Sequence, residues 1–365
     1  MKFSKLISIP FLLIFACGAP AGEGDLSSTT YQPTPFIQQV DLPFPKMDIP
    51  PDNPMTNEGV DLGRRLFYDP ILSKDSTISC SSCHHLNNSF TDGLTVSLGV
   101  DDTAGKRSSM SLLNVGYFQT GLFWDGRSSS LEAQALIPIE DHLEMKESWP
   151  NVVKKIKETS DYPQLFRKAF GISNQNEITK ELIVKAIAQF ERSLVSSPNA
   201  KYDQVKKGLA TFTPDEAMGE DLFFDISMEV KDAECGNCHN DPLFTTHEFA
   251  NNGLDEVNDL NDFKDLGYGA ITKDKYDNGK FRIPSLRNIA HTAPYMHDGR
   301  FATLEEVLDH YDKGGHPSPT VHPIIRPLGL TDLEKKQIIQ FLHTLTDTTF
   351  FKQAAYDNPF LTQQK

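Results

Sequence analysis

The sequence predicts a mainly α protein built from two tandem copies of one unit, and three observations carry that prediction. Residues 62–69 read Leu-Gly-Arg-Arg-Leu-Phe-Tyr-Asp and return at 218–225 as Met-Gly-Glu-Asp-Leu-Phe-Phe-Asp. Each copy is followed by a short loop and a Cys-x-x-Cys-His sequence, at 80–84 and at 235–239. Gly63 and Gly219 stand 156 residues apart and the first cysteines 155 apart, so the order of elements repeats with its register nearly kept. Finally, apolar residues recur at helical spacing, whereas the period-two alternation of strands is scarce.

Taken in order, Lys2 and Lys5 precede an apolar run at 6–16, long enough for the core of an export signal and too short to span a bilayer. Ala16-Cys17-Gly18 resembles a bacterial lipoprotein junction, with Cys17 as the residue that takes the lipid; cleavage after Ala21 is the rival route. Residues 18–57 are rich in Pro, Ser, Thr and Gly. Val60, Leu62, Leu66 and Phe67 then mark one helix face before the first Cys-x-x-Cys-His. Further helices are expected over 149–160, 178–194, 304–311 and 331–345. Thr213-Pro214 forms a helix start, and Thr331 with Glu334 forms a capping box. The expected organisation is a signal over 1–21, a flexible lead-in over 22–56, one unit over 57–208, a second over 209–350 and a tail over 351–365.

Cys-x-x-Cys-His is the pattern that attaches a c-type haem: Cys80 and Cys83, or Cys235 and Cys238, form thioethers, and His84 or His239 supplies an axial nitrogen. A redox dithiol or half a zinc site uses the same cysteine spacing, but two copies in an exported chain favour haem. Four of the five cysteines are thereby used, leaving Cys17. Each unit is expected to be a cytochrome c-like haem domain, and the protein a redox protein. The formal net charge of −15 disfavours nucleic acid as a partner and suits a basic electron carrier; it also serves solubility alone.

Between and after the two signatures stand Leu72-Ser73, Thr91-Asp92-Gly93-Leu94, Phe123-Trp124-Asp125-Gly126-Arg127, Ile283-Pro284-Ser285-Leu286-Arg287-Asn288 and the segment 292–299, Thr-Ala-Pro-Tyr-Met-His-Asp-Gly. With these markers the chain resembles the bacterial di-haem cytochrome c peroxidases and their relative MauG, over about 62–345. The resemblance implies a periplasmic enzyme with two haems c, the N-terminal haem reacting with hydrogen peroxide and the C-terminal haem passing electrons. It implies that Trp124 lies between the haems, that Gln134 and Glu144 form the peroxide pocket with Pro138 over it, and that Glu144 moves a proton as general acid and base. It also implies a calcium ion held by the carbonyls of Thr292 and Pro294 and by a side chain at Ser108, where the family usually has Asn.

Two departures separate this chain from many of the peroxidases. Sixteen residues after His84, where a second histidine would cap the peroxide iron, stands Val100. The first haem is therefore expected to be open, as in MauG, with His142 and, more remotely, His85 as alternative caps. Seventeen residues after Pro294, where peroxidases place a ligating methionine, stands Tyr311, again as in MauG. A tyrosinate lowers the haem potential relative to methionine; Met296 is the rival ligand, and a buried Tyr311 beside His310 the plainer alternative. Against MauG, the tryptophan expected six residues before His239 is Ala233. Three readings stay open: a peroxidase fed by a cytochrome or similar donor, a MauG-like enzyme oxidising side chains of a partner protein, and a di-haem electron carrier. The membrane enters only through the lipid anchor.

Overall fold

The computed structural model describes residues 24–38, 43–118, 120–227 and 231–361; the export signal and Cys17 lie outside them. Helix α1 (Asn57–Tyr68) begins where the Thr56 side chain accepts the Gly59 N–H, and it buries Val60, Leu62, Leu66 and Phe67. A loop carrying the 3-10 turn Cys80–Ser82 follows. Then come α2 (Leu131–Glu140), α3 (Trp149–Lys157), α4 (Tyr162–Phe170) and α5 (Lys180–Ser193). The second unit holds α6 (Lys201–Lys206), α7 (Pro214–Phe224), the 3-10 turn Cys235–Asn237, β1 (Phe249–Ala250), α8 (Gly269–Thr272), β2 (Phe281–Arg282), α9 (Leu304–Asp312) and α10 (Asp332–His343). β1 and β2 pair antiparallel and are the named strands among the described residues.

The duplication is visible in how the helices cross. α1 packs on α5, and α7 on α10. A Cβ added at Gly63 would lie 1.9 Å from the Ala186 carbonyl oxygen and 3.0 Å from the Cβ of Phe190. One added at Gly219 would lie 2.0 Å from the Gln337 oxygen and 2.9 Å from the Cβ of Phe341. Each repeat thus uses a glycine to let two helix backbones touch, with an aromatic residue one turn further along the partner helix. The fold is mainly α, two cytochrome c-like units in tandem.

Helix starts fall where the caps predict. Thr213 with Glu216, and Thr331 with Glu334, form reciprocal capping boxes. The helix expected over 149–160 stops at Lys157, and the one expected over 178–194 starts at Lys180, because Thr179 caps it. Helices α4 and α6 were not expected.

The chain on both flanks is tied to the first unit. In the lead-in, Leu26 joins the core of α3, α4 and α5, and buried Asn53 donates to Glu132 and to the Lys185 carbonyl. At the other end, Phe350 and Tyr356 pack with Phe67, Phe90 and Phe190. Tyr68 donates to the Tyr356 carbonyl and Tyr356 to the Ser193 carbonyl. Arg107 links the halves through Asp125 on one side and Asp265 on the other. Among the described residues no helix is long and apolar enough to cross a membrane.

Candidate active site

Each Cys-x-x-Cys-His opens onto a cavity. The first, of about 1130 Å³, is lined by Cys80, Cys83, His84, Trp124, Gln134, Pro138 and Glu144. Cys80 and Cys83 are free thiols, and burial raises both, Cys83 to about 11. The His84 Nδ1 pairs with the Phe90 carbonyl at 2.8 Å, which makes Nδ1 the protonated nitrogen and leaves Nε2 for a metal.

The far side of this cavity comes from α2 and the turn after it. Gln134 and Pro138 are four residues apart on α2, so both reach the same wall. The following turn is closed by the Asp141 side chain, which accepts from Leu143 N, and Glu144 stands on it. Burial, reinforced by the Asp141 charge and opposed by Arg127, pushes the Glu144 carboxyl up to about 7. The Val100 N–H donates to the Glu144 carbonyl at 2.8 Å, and the wall here is made by Gly99, whose added Cβ would lie 2.0 Å from the Leu143 oxygen. Neither histidine named as an alternative cap is committed to the interior. The His142 side chain is 80% exposed at the cavity mouth, and His85 is exposed and pairs with the Ser82 carbonyl.

The second cavity, of about 190 Å³, is walled by apolar residues such as Phe223, Leu286, Leu308 and Leu342, around Cys235, Cys238 and His239. His239 Nδ1 lies 3.1 Å from both the Phe244 and Pro284 carbonyls, again leaving Nε2, and burial holds the ring neutral with its pKa down to about 4. Tyr311 and Met296 both line this cavity, as does Ala233. Burial raises the Tyr311 phenol to about 12, against a hydrogen bond from Asn252. His310 points elsewhere: its Nε2 pairs with the Asn252 carbonyl at 2.9 Å.

Trp124 lines both cavities, its indole N–H donating to the Ser108 carbonyl at 2.9 Å. So does Arg282, 3% exposed and unpaired with any carboxylate among the described residues. Its guanidinium donates to the Thr120 and Phe123 carbonyls and lies against Phe118 and Phe249, while Nη1 has no partner. Desolvation alone lowers its pKa to about 10. A buried cation with a spare donor asks for an anion. Two thiols, an imidazole with Nε2 free, apolar walls and that cation fit a covalently attached haem and its acidic propionates.

The expected calcium ligands do not form such a fit. The Ser108 hydroxyl is committed as a donor to the Met296 carbonyl at 2.9 Å, and the Thr292 hydroxyl to the Ile289 carbonyl. Pro294 adds a carbonyl, and among the described residues no three His, Cys, Asp or Glu side chains converge. A hard divalent cation prefers carboxylate oxygens, and this set is not a calcium cage as it stands.

Sequence reasoning missed three site residues. Two are Asn252 and Arg282; the third is Glu191, fully buried on the first cavity, with Oε2 unpartnered and its carboxyl pushed up to about 8 by burial. Charged residues inside apolar runs, as in Phe281-Arg282-Ile283 and Gln189-Phe190-Glu191-Arg192, were the available signal.

Comparison with known proteins agrees with this geometry. A family model described as di-haem cytochrome c peroxidase matches residues 57–211. The methylamine utilization protein MauG of Methylorubrum extorquens is 36% identical, over 90% of this chain and 87% of that protein. The cytochrome-c peroxidase IdrP1 of Denitromonas iodatirespirans is 33% identical, over 87% of this chain and 89% of that protein. A solved MauG-like protein associated with microbial copper homeostasis is 37% identical with a TM-score of 0.80, over 88% of this chain and 99% of that one.

Proposed function

Because the chain belongs to the family of di-haem cytochrome c peroxidases and MauG, we propose that it is an exported, peroxide-reacting oxidoreductase carrying two haems c. Bound haem supplies the one-electron chemistry and the peroxide activation. Cys80 and Cys83 anchor one haem and Cys235 and Cys238 the other, within units over 57–208 and 209–350. His84 and His239 present Nε2 to iron. Glu144 takes the first peroxide proton and returns it to the departing oxygen, Gln134 orients the substrate, and Pro138 limits water above it. Tyr311 completes the second haem's coordination, and Trp124 bridges the two centres. Export leads to the periplasm, with Cys17 as the lipid attachment point.

The observation that carries this reading is Glu144: a carboxyl poised at about 7 in the same cavity as His84. A pure electron carrier has no use for it. Stopped-flow mixing of the resting ferric protein with hydrogen peroxide tests the reading. A rapid spectral change without prior reduction supports it; no change, with both irons six-coordinate and low-spin at rest, leaves the electron carrier.

Val100 and Tyr311 favour a MauG-like variant, in which electrons come from side chains of a partner protein. Rapid peroxide turnover with reduced cytochrome c selects the peroxidase instead. The acidic surface suits a basic cytochrome donor.

A further inference from the structure

The second cavity holds two candidate iron ligands, a phenol and a thioether, and one side chain touches both. Asn252 Nδ2 lies 3.1 Å from the Tyr311 hydroxyl oxygen and 3.4 Å from the Met296 sulfur. We infer that Asn252 is a positioning residue that selects oxygen over sulfur at the second axial face of the haem held by His239, an inference that rests on Tyr311 being that ligand.

The amide is held rigidly. Its own backbone carbonyl takes a hydrogen bond from His310, the neighbour of Tyr311 on α9, so one helical turn grips both ends of the residue. On one side Asn251 donates to Ser318 and Thr320; on the other a Cβ added at Gly315 would lie 2.9 Å from the Asn252 oxygen. The group has two hydrogens and meets two acceptors of unequal strength. A phenolic oxygen that becomes anionic on iron gains a charge-assisted hydrogen bond, roughly twice as strong as a neutral one, whereas a thioether is a weak acceptor. The same donor therefore stabilises tyrosinate ligation and fastens the sulfur beside it. Met296 itself sits at φ +77°, a costly conformation for a side chain of its size, which holds the sulfur within reach of this cavity.

The test uses the haem-loaded protein and reads magnetic circular dichroism, electron paramagnetic resonance and the midpoint potential of each haem. Asn252→Leu, or the smaller Asn252→Ser, is expected to replace the tyrosinate signature of the second haem with a thioether signature and to raise its potential. The first haem should stay unchanged as an internal control. Adding Met296→Leu to either variant should restore the tyrosinate signature, and Asn252→Gln, which keeps the donor, should retain it throughout. If Tyr311→Phe alters the second haem but both Asn252 variants match the parent, the selector role is overturned and the ligand stands. If Met296→Leu fails to reverse the change, sulfur is not the competitor and the inference again falls. If Tyr311→Phe itself matches the parent, the ligand reading fails, and this inference with it.

Discussion

Glu144→Gln removes the proton-transfer group while keeping its shape, and its effects on rate and stability should run in opposite directions. Burial and the Asp141 charge raise the carboxyl from 4.5 to about 7. A carboxyl whose pKa is higher folded than unfolded binds its proton more tightly in the native state. Stability should therefore fall as pH rises from about 4.5 to about 7, and the cost is fully present above that window. At about 1.4 kcal/mol per pH unit, the rise corresponds to about 3 kcal/mol at most, and access to cavity water brings it nearer 1–2. Glutamine does not titrate, so the variant should match the parent near pH 4 and exceed it by about 1–2 kcal/mol at pH 8 in urea unfolding. Its reaction with peroxide at pH 8 should be slower by about 10²- to 10⁴-fold. The parent's rate should climb through pH 7 as the base form appears. A stability gap independent of pH, or a parent rate flat from pH 6 to 8, would refute the reasoning.

Gly63→Ala and Gly219→Ala each gain about 1 kcal/mol of helix propensity, yet should lower stability by about 1–3 kcal/mol net, because the new methyl meets a backbone carbonyl at about 2 Å. An unchanged or higher denaturant midpoint for either would sink this account of the crossings. Arg282→Met should stabilise the haem-free protein, which loses an unpaired buried cation, and destabilise the haem-loaded one; melting curves moving in the same direction would count against a propionate partner. Arg287→Met strands Asp203, its bidentate partner at 3.0 Å, in the interior of the second unit and should cost about 3–5 kcal/mol, most of it regained in a double variant with Asp203→Leu. A small loss for the single variant would mean that Asp203 finds another partner or protonates at little cost.

What the sequence makes legible here is what is local. The haem signatures are complete within five residues, and the capping boxes at Thr213 and Thr331 within four, so reading along the chain finds them. The repeat register leads to Gly63 and Gly219 because each glycine sits inside a longer matching block. Asn252 and Arg282 escape because their partners are distant: Tyr311 lies 59 residues from Asn252, and Thr120 lies 162 from Arg282. Nothing in the neighbourhood of Glu144 foretells its burial, which depends on the loop of Gly99 and Val100 closing over 143–144. Helix α4 does carry a local signal, since Tyr162-Pro163 places proline where a first turn accepts it and Gly171 ends the helix at φ +74°.

The aromatic plug formed by Phe350 and Tyr356 sets an order of assembly. The unit synthesised first is sealed by nearly the last stretch to leave the ribosome, so it waits, with Phe67, Phe90 and Phe190 uncovered, until its sister has been made. A chain cut short before Phe350 carries both attachment sequences yet leaves the earlier half unfinished. The two haem compartments therefore mature as a pair, and neither is a module that can be trimmed away from the other.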